Sequence, residues 1–173
     1  MINKIAKIFS VLTRKMIFFV DGINNHFFTT LYYKHLSRRG VTFLGRPNYI
    51  SSMAYIDGQG YKIITIGKDV VISRDAMLLT HDYSIETALH SIGKGSNDRH
   101  IHINNPIYIG NNSFIGAKAA LLPGTTIGDN CIVGACCVVK GNIPDNSVVV
   151  GNPCRIIGST SDLGRRLLEK KNE

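Results

Sequence analysis

The sequence predicts an all-β solenoid, a parallel β-helix of three walls, on three observations. From Ile109 to Pro144 the chain repeats every six residues, as I-G-N-N-S-F, I-G-A-K-A-A, L-L-P-G-T-T, I-G-D-N-C-I, V-G-A-C-C-V and V-K-G-N-I-P. A short repeat sustained in this way marks stacked units that bury one another's apolar faces. Each unit opens on a branched aliphatic (Ile109, Ile115, Leu121, Ile127, Val133, Val139), and its fifth residue is mostly small (Ser113, Ala119, Thr125, Cys131, Cys137). Side chains alternate along a strand, so both positions point inward from one short strand. Gly follows the aliphatic at Gly110, Gly116, Gly128 and Gly134, where the backbone turns a corner and a Cβ would be costly. Three such sides close a triangular coil, and eighteen residues carry the chain one layer up.

The 173 residues suit one domain with modest appendages. The predicted division is a basic helical segment over 1–40, the solenoid over 41–157 with an excursion at 84–106, and a final helix over 158–173. In residues 2–20, Ile2, Ile5, Ile8, Phe9, Leu12, Met16, Phe19 and Val20 fall at helical spacing among Lys4, Lys7, Arg14 and Lys15. That is a basic amphipathic helix. Arg14 and Lys15 interrupt a run too short to span a membrane, and no cleavage site for a signal peptide follows. A second apolar segment, Phe27 to Leu36, ends at Arg38-Arg39-Gly40. Together these segments either cap the open end of the solenoid or form a foot on anionic lipid.

The solenoid is expected to begin near Leu44, with Leu44, Ile50 and Ile56 inward and a corner at Asp57-Gly58-Gln59-Gly60. The register restarts at Ile66-Gly67 and runs through Ile72 and Leu78. Asp82 would be the next inward residue, and a lone buried carboxylate is expensive, so the chain leaves the coil about there. Residues 84–106 break the period, carry His90, His100 and His102, and return at Pro106-Ile107. Long excursions of this kind are functional or flexible. After Pro144 the pattern loosens into Gly151-Asn152-Pro153-Cys154-Arg155, and Ser161 or Asp162 is expected to cap the last helix.

The charge of +8 is uneven. Residues 1–40 carry seven Lys/Arg against Asp21, residues 41–154 carry eight of each sign, and residues 155–173 carry five basic and three acidic. The solenoid is neutral and neither flank has a nucleic-acid motif, so a nucleic-acid partner is not expected. Cys131, Cys136, Cys137 and Cys154 lack metal-ligand spacing. Cys131 and Cys137 read as small buried apolar side chains in a reduced, cytoplasmic protein.

The six-residue punctuation resembles the hexapeptide-repeat acyltransferases, which include galactoside, maltose, serine and xenobiotic acetyltransferases, over residues 44 to 158. The resemblance implies a left-handed coil, against the usual preference of parallel crossovers. It also implies a homotrimer with active sites between subunits and acetyl-CoA as co-substrate. Thr80-His81-Asp82-Tyr83-Ser84 resembles the catalytic-histidine segment of the family's sugar acetyltransferases, although galactoside-type members carry the histidine where this chain has Tyr83. His81 is thereby the candidate general base, a role suited to an imidazole titrating near neutrality. The resemblance implies direct attack by a saccharide hydroxyl, with the oxyanion held by a backbone N–H. Asp82 and Tyr83 are candidates for orienting the imidazole or touching the acceptor.

For the coenzyme, Ala117 and Ala135 are third residues of units eighteen apart and should stack on one edge, leaving a groove for an extended pantetheine arm. Pro153 follows eighteen later, with a slip of one suggested at Val150-Gly151. Lys140 and Arg155 fall where the family places residues near the coenzyme's phosphates or adenine. A γ-class carbonic anhydrase shares the solenoid but needs three His on neighbouring walls, and no His follows His102. The basic leader followed by T-H-D-Y-S is most similar to acetyltransferases of capsule or lipopolysaccharide gene sets. A serine- or xenobiotic-type acceptor and a catalytically silent scaffold are the remaining readings.

Overall fold

The computed structural model describes residues 25–58, 60–96 and 102–171. The expected amphipathic segment 2–20 lies outside the described residues. Three parallel walls form the left-handed β-helix. The first wall holds β1 (Thr42–Phe43), β4 (Ile64–Ile66), β9 (Ile107–Ile109), β12 (Thr126–Ile127) and β15 (Asn142–Ile143). The second holds β2 (Tyr49–Ile50), β5 (Val71–Ile72), β10 (Phe114–Ile115), β13 (Ile132–Val133) and β16 (Ser147–Val150). The third holds β3 (Tyr55–Ile56), β6 (Met77–Leu78), β11 (Ala120–Leu121) and β14 (Val138–Val139).

In every wall the register stacks aliphatic on aliphatic. Ile66, Ile109, Ile127 and Ile143 form one inward column. Ile50, Ile72, Ile115, Val133 and Val149 form the second, and Ile56, Leu78, Leu121 and Val139 the third. All of them are buried, each stabilising the fold by about 1.5–3 kcal/mol relative to exposure. The small fifth residues Ser113, Ala119, Thr125, Cys131 and Cys137 are buried beside them.

Two details of the expected coil differ. The glycines after each aliphatic are required by the approach of the next coil: a Cβ on Gly110 would lie 2.5 Å from the Gly128 carbonyl, and one on Gly116 2.6 Å from the Ala135 nitrogen. The turn itself falls two residues later, where Asn112, Lys118, Asn130 and Cys136 take φ of 52–59°. Leu44 is not inward; it is 55% exposed, and Phe43, paired with Ile66, takes the core side. The corner that follows, containing Pro47, is one residue longer than the repeat and shifts the register.

At the open end, α1 (Asn25–Arg39) lays Phe28, Tyr32 and Leu36 on the core along one face, all buried. After β6 the chain leaves the coil as expected. Rather than turning Asp82 inward, β7 (His81–Asp82) pairs antiparallel with β8 (Ile103–Asn104). Between them lies an unanticipated helix, α2 (Ser84–Ser91).

At the far end the slip is two residues, not one. Ile127 pairs with Ile143 and Val133 with Val149, sixteen residues on, because the corner Val139–Asn142 is short and turns at Gly141 (φ 86°). The chain then reverses into β17 (Arg155–Ser159), antiparallel to β16. The final helix α3 (Thr160–Lys171) is capped by Ser159, not by Ser161 or Asp162. The Ser159 hydroxyl oxygen accepts the Asp162 N–H at 3.1 Å, which satisfies an otherwise orphan first-turn donor.

Candidate active site

The site is organised by a residue whose role sequence reasoning missed. Asp57 directly follows the inward Ile56, and its N–H donates to the Leu78 carbonyl at 3.1 Å, so it lies beneath the point where the chain leaves the coil. Its side chain is 1% exposed. A buried carboxylate must find donors, and Asp57 Oδ2 has three: the Thr80 N–H at 3.2 Å, the Thr80 hydroxyl and His81 Nδ1. Gly60 makes room for this arrangement, since a Cβ there would overlap the Thr80 side chain.

The contact with Asp57 places the imidazole proton on Nδ1 and leaves the Nε2 lone pair free for an incoming hydroxyl. His81 opens on a cavity of about 230 Å³. Leu79, Ile103, Leu122 and Pro123 give it an apolar half; Asp82, Asn105 and Lys140 stand with His81 on the polar half. The β7–β8 pairing brings the end of the excursion to the cavity, and the Asn105 N–H donates to the Thr80 carbonyl at 2.9 Å.

The other residues of the T-H-D-Y-S segment brace the imidazole's surroundings. Tyr83 packs edge-on to His81 with ring centroids 5.2 Å apart, and its ring also meets that of His102 at 5.0 Å. Asp82 turns to the start of α2 and accepts the Ser84 N–H at 2.8 Å. Hydrogen bonds from the Ser84 backbone and side chain hold its carboxyl below the usual carboxylate range, with the charge of Lys140 adding to the shift.

The expected coenzyme residues do not gather in one place. Ala117 and Ala135 share an edge, between the second and third walls, where the Cys136 N–H donates to the Ala117 carbonyl at 2.9 Å. The sixteen-residue step puts Gly151 next in that column, with Pro153 two residues further in the same turn. Arg155 begins the exposed strand β17, opposite Val150. Lys140 is on a different edge, between the third and first walls, with His81. Among the described residues no group of three His, Cys, Asp or Glu could hold a metal.

Residues 106–141 match the family model described as bacterial transferase hexapeptide (six repeats). Residues 106–141 thus carry the hexapeptide repeat of bacterial transferases. The chain's relatives include galactoside O-acetyltransferase of Escherichia coli (strain K12), 36% identical over 99 residues, which are 57% of this chain and 45% of that one. A curated protein of Bacillus subtilis (strain 168) is 34% identical over 124 residues, 72% of this chain and 64% of its own length. The match thus spans less than half of the E. coli enzyme. Among solved structures, a galactoside acetyltransferase in complex with coenzyme A superposes with a TM-score of 0.59 at 23% identity, covering 90% of this chain and 83% of that one. A hexapeptide-repeat acetyltransferase from Vibrio cholerae complexed with acetyl coenzyme A gives 0.60 at 20% identity, covering 87% and 84%. At these identities the structural likeness is one of fold.

Proposed function

We propose that this hexapeptide-repeat protein transfers an acetyl group from acetyl-CoA to a sugar hydroxyl, with His81 as general base and Asp57 as the residue that positions it. The observation that carries the reading is the buried Asp57 carboxylate on His81 Nδ1, with the cavity beyond. As the acceptor oxygen attacks the thioester carbonyl, Nε2 takes its proton, and the Asp57 charge stabilises the imidazolium that forms. The new C–O bond forms, the C–S bond breaks, and the imidazolium returns the proton to the departing thiolate. The relatives' printed names, galactoside O-acetyltransferase among them, support this reaction class.

The groove along Ala117 and Ala135, with Pro153 and Arg155 near its upper end, is the candidate path for the pantetheine arm. It runs along a different edge of the prism from His81. Two copies packed side by side would bring one copy's groove against the other's imidazole. This favours a homotrimer with its sites between subunits. The acceptor is a capsule- or lipopolysaccharide-type saccharide, handled at the cytoplasmic face of the membrane where the basic leader touches anionic lipid. No described helix is long and apolar enough to cross a membrane.

The test is release of free CoA thiol from acetyl-CoA in the presence of a saccharide panel, together with acceptor mass. Wild-type protein should yield acceptors heavier by one acetyl group. His81→Ala should lose at least about 10²-fold in kcat while still binding CoA. A fully active His81→Ala protein removes the imidazole from the reaction.

A further inference from the structure

Thr80 meets the Asp57 carboxylate twice. Its N–H donates to Asp57 Oδ2 at 3.2 Å, and its hydroxyl donates to the same oxygen, which also contacts His81 Nδ1. Thr80 is fully buried and Asp57 is 1% exposed, so both bonds lie away from bulk water. The threonine is pinned from its other side as well, because its carbonyl accepts the Asn105 N–H at 2.9 Å from the end of the excursion. Its side chain has room only because residue 60 is glycine, where a Cβ would overlap the hydroxyl. The fold thus holds one hydroxyl in one place, against the carboxylate that touches the base.

These contacts bear on which imidazole nitrogen carries hydrogen. Burial alone drives a carboxyl toward its neutral form. A neutral Asp57 would donate its own hydrogen to His81 Nδ1. The imidazole would then carry its hydrogen on Nε2, with no lone pair left there for an incoming hydroxyl. Donors aimed at the carboxylate favour the ionised form instead, and an ionised Asp57 calls for hydrogen on Nδ1. The Thr80 N–H can only donate, and the hydroxyl adds a second donor to the same oxygen.

Resting on the acetyl-transfer reading above, we infer that Thr80 is a positioning residue of the reaction. Its hydroxyl, with its N–H, keeps Asp57 ionised and so fixes His81 in the tautomer whose Nε2 takes the acceptor's proton.

Thr80→Ser and Thr80→Ala differ from each other only in the hydroxyl, so the pair isolates it. In the full chain, Thr80→Ala should lose about 10–100-fold in kcat for CoA release, the size expected of a hydrogen bond to a charged group. Its KM for acetyl-CoA should stay within about threefold, and Thr80→Ser should keep most of the rate. Imidazole nitrogen NMR gives a second readout, with the His81 signals assigned by their loss in His81→Ala. Hydrogen is expected on Nδ1 in wild type and Thr80→Ser, and an Nε2–H population in Thr80→Ala; thermal melts verify that each variant is folded. Equal kcat in the serine and alanine variants overturns the inference. A slower Thr80→Ala protein whose His81 keeps the wild-type tautomer overturns it too, by reducing Thr80 to a structural part. The nitrogen spectrum does not depend on turnover. The expected tautomer contrast without transfer to any saccharide therefore supports the control by Thr80 while removing the acetyl-transfer reading.

Discussion

Replacing Asp57 with asparagine tests the positioning of His81 with the least change in shape. The carboxylate is 1% exposed and the imidazole 21% exposed, so their interaction is only partly screened. Two unit charges about 4 Å apart at an effective dielectric near 20 interact by about 4 kcal/mol. That stabilisation exists only when His81 carries the abstracted proton, so it acts on the transition state. At about 1.4 kcal/mol per decade it corresponds to about 10³-fold, and solvent at the imidazole trims this to about 10²–10³-fold in kcat. The substituted carboxamide would also offer an N–H₂ to His81 in one of its two orientations, favouring the wrong tautomer. Steady-state CoA release measures the effect, and a thermal melt verifies that the coil is intact. A kcat within about threefold of wild type, in folded protein, would refute the idea that Asp57 supports the chemistry.

Three further outcomes are expected. Gly60→Ala drives a Cβ into the Thr80 side chain and should cost about 1–3 kcal/mol, with a larger loss of kcat than of acceptor affinity; urea melts and kinetics together check it. Burial, reinforced by Cys154, pushes the Cys137 thiol up to about 11, so at pH 8 it is almost wholly protonated and inert. Exposed Cys136 should therefore react with iodoacetamide first, and peptide mass spectrometry showing Cys137 alkylated first in folded protein would contradict this. Deleting residues 2–20 should release the protein from anionic vesicles at low salt, and unchanged co-sedimentation would discard the lipid-binding role of the leader.

The repeat made the coil legible because the same physics is imposed on every layer. Each inward position accepts only an aliphatic or a small residue, and at Gly67, Gly110, Gly116 and Gly128 the next coil leaves no room for a Cβ after the aliphatic. Asp82 marked the departure from the coil for the same reason, since a lone carboxylate could not turn inward. The site was harder to read. His81 was visible through its neighbours in sequence, whereas Asp57 reads as part of a glycine-rich corner until the coil step of wall three sets it beneath Leu79. That step is 22 residues from Ile56 to Leu78, longer than the repeat, so no fixed period exposes the pairing. A buried charge in search of donors was the one available signal, and only at Asp82 did the repeat make it visible.

The position of Lys140 in the coil was hidden for a related cause. A corner shortened by two residues ended the eighteen-residue count, moving Gly151 rather than Pro153 into the Ala117–Ala135 column and leaving Lys140 on the edge that carries His81. Composition records neither the shortened corner nor the antiparallel return of β17.

The most direct test of the proposed chemistry is a crystal structure of the protein with coenzyme A bound. The sulfur is expected within about 3–4 Å of the space in front of His81 Nε2, close enough for a hydroxyl held there to attack an attached acyl group. The arm is expected to run along the Ala117–Ala135 edge of a neighbouring copy. Coenzyme A seated with its sulfur far from His81, or a thiol facing a different side chain able to take a proton, would contradict the proposed mechanism.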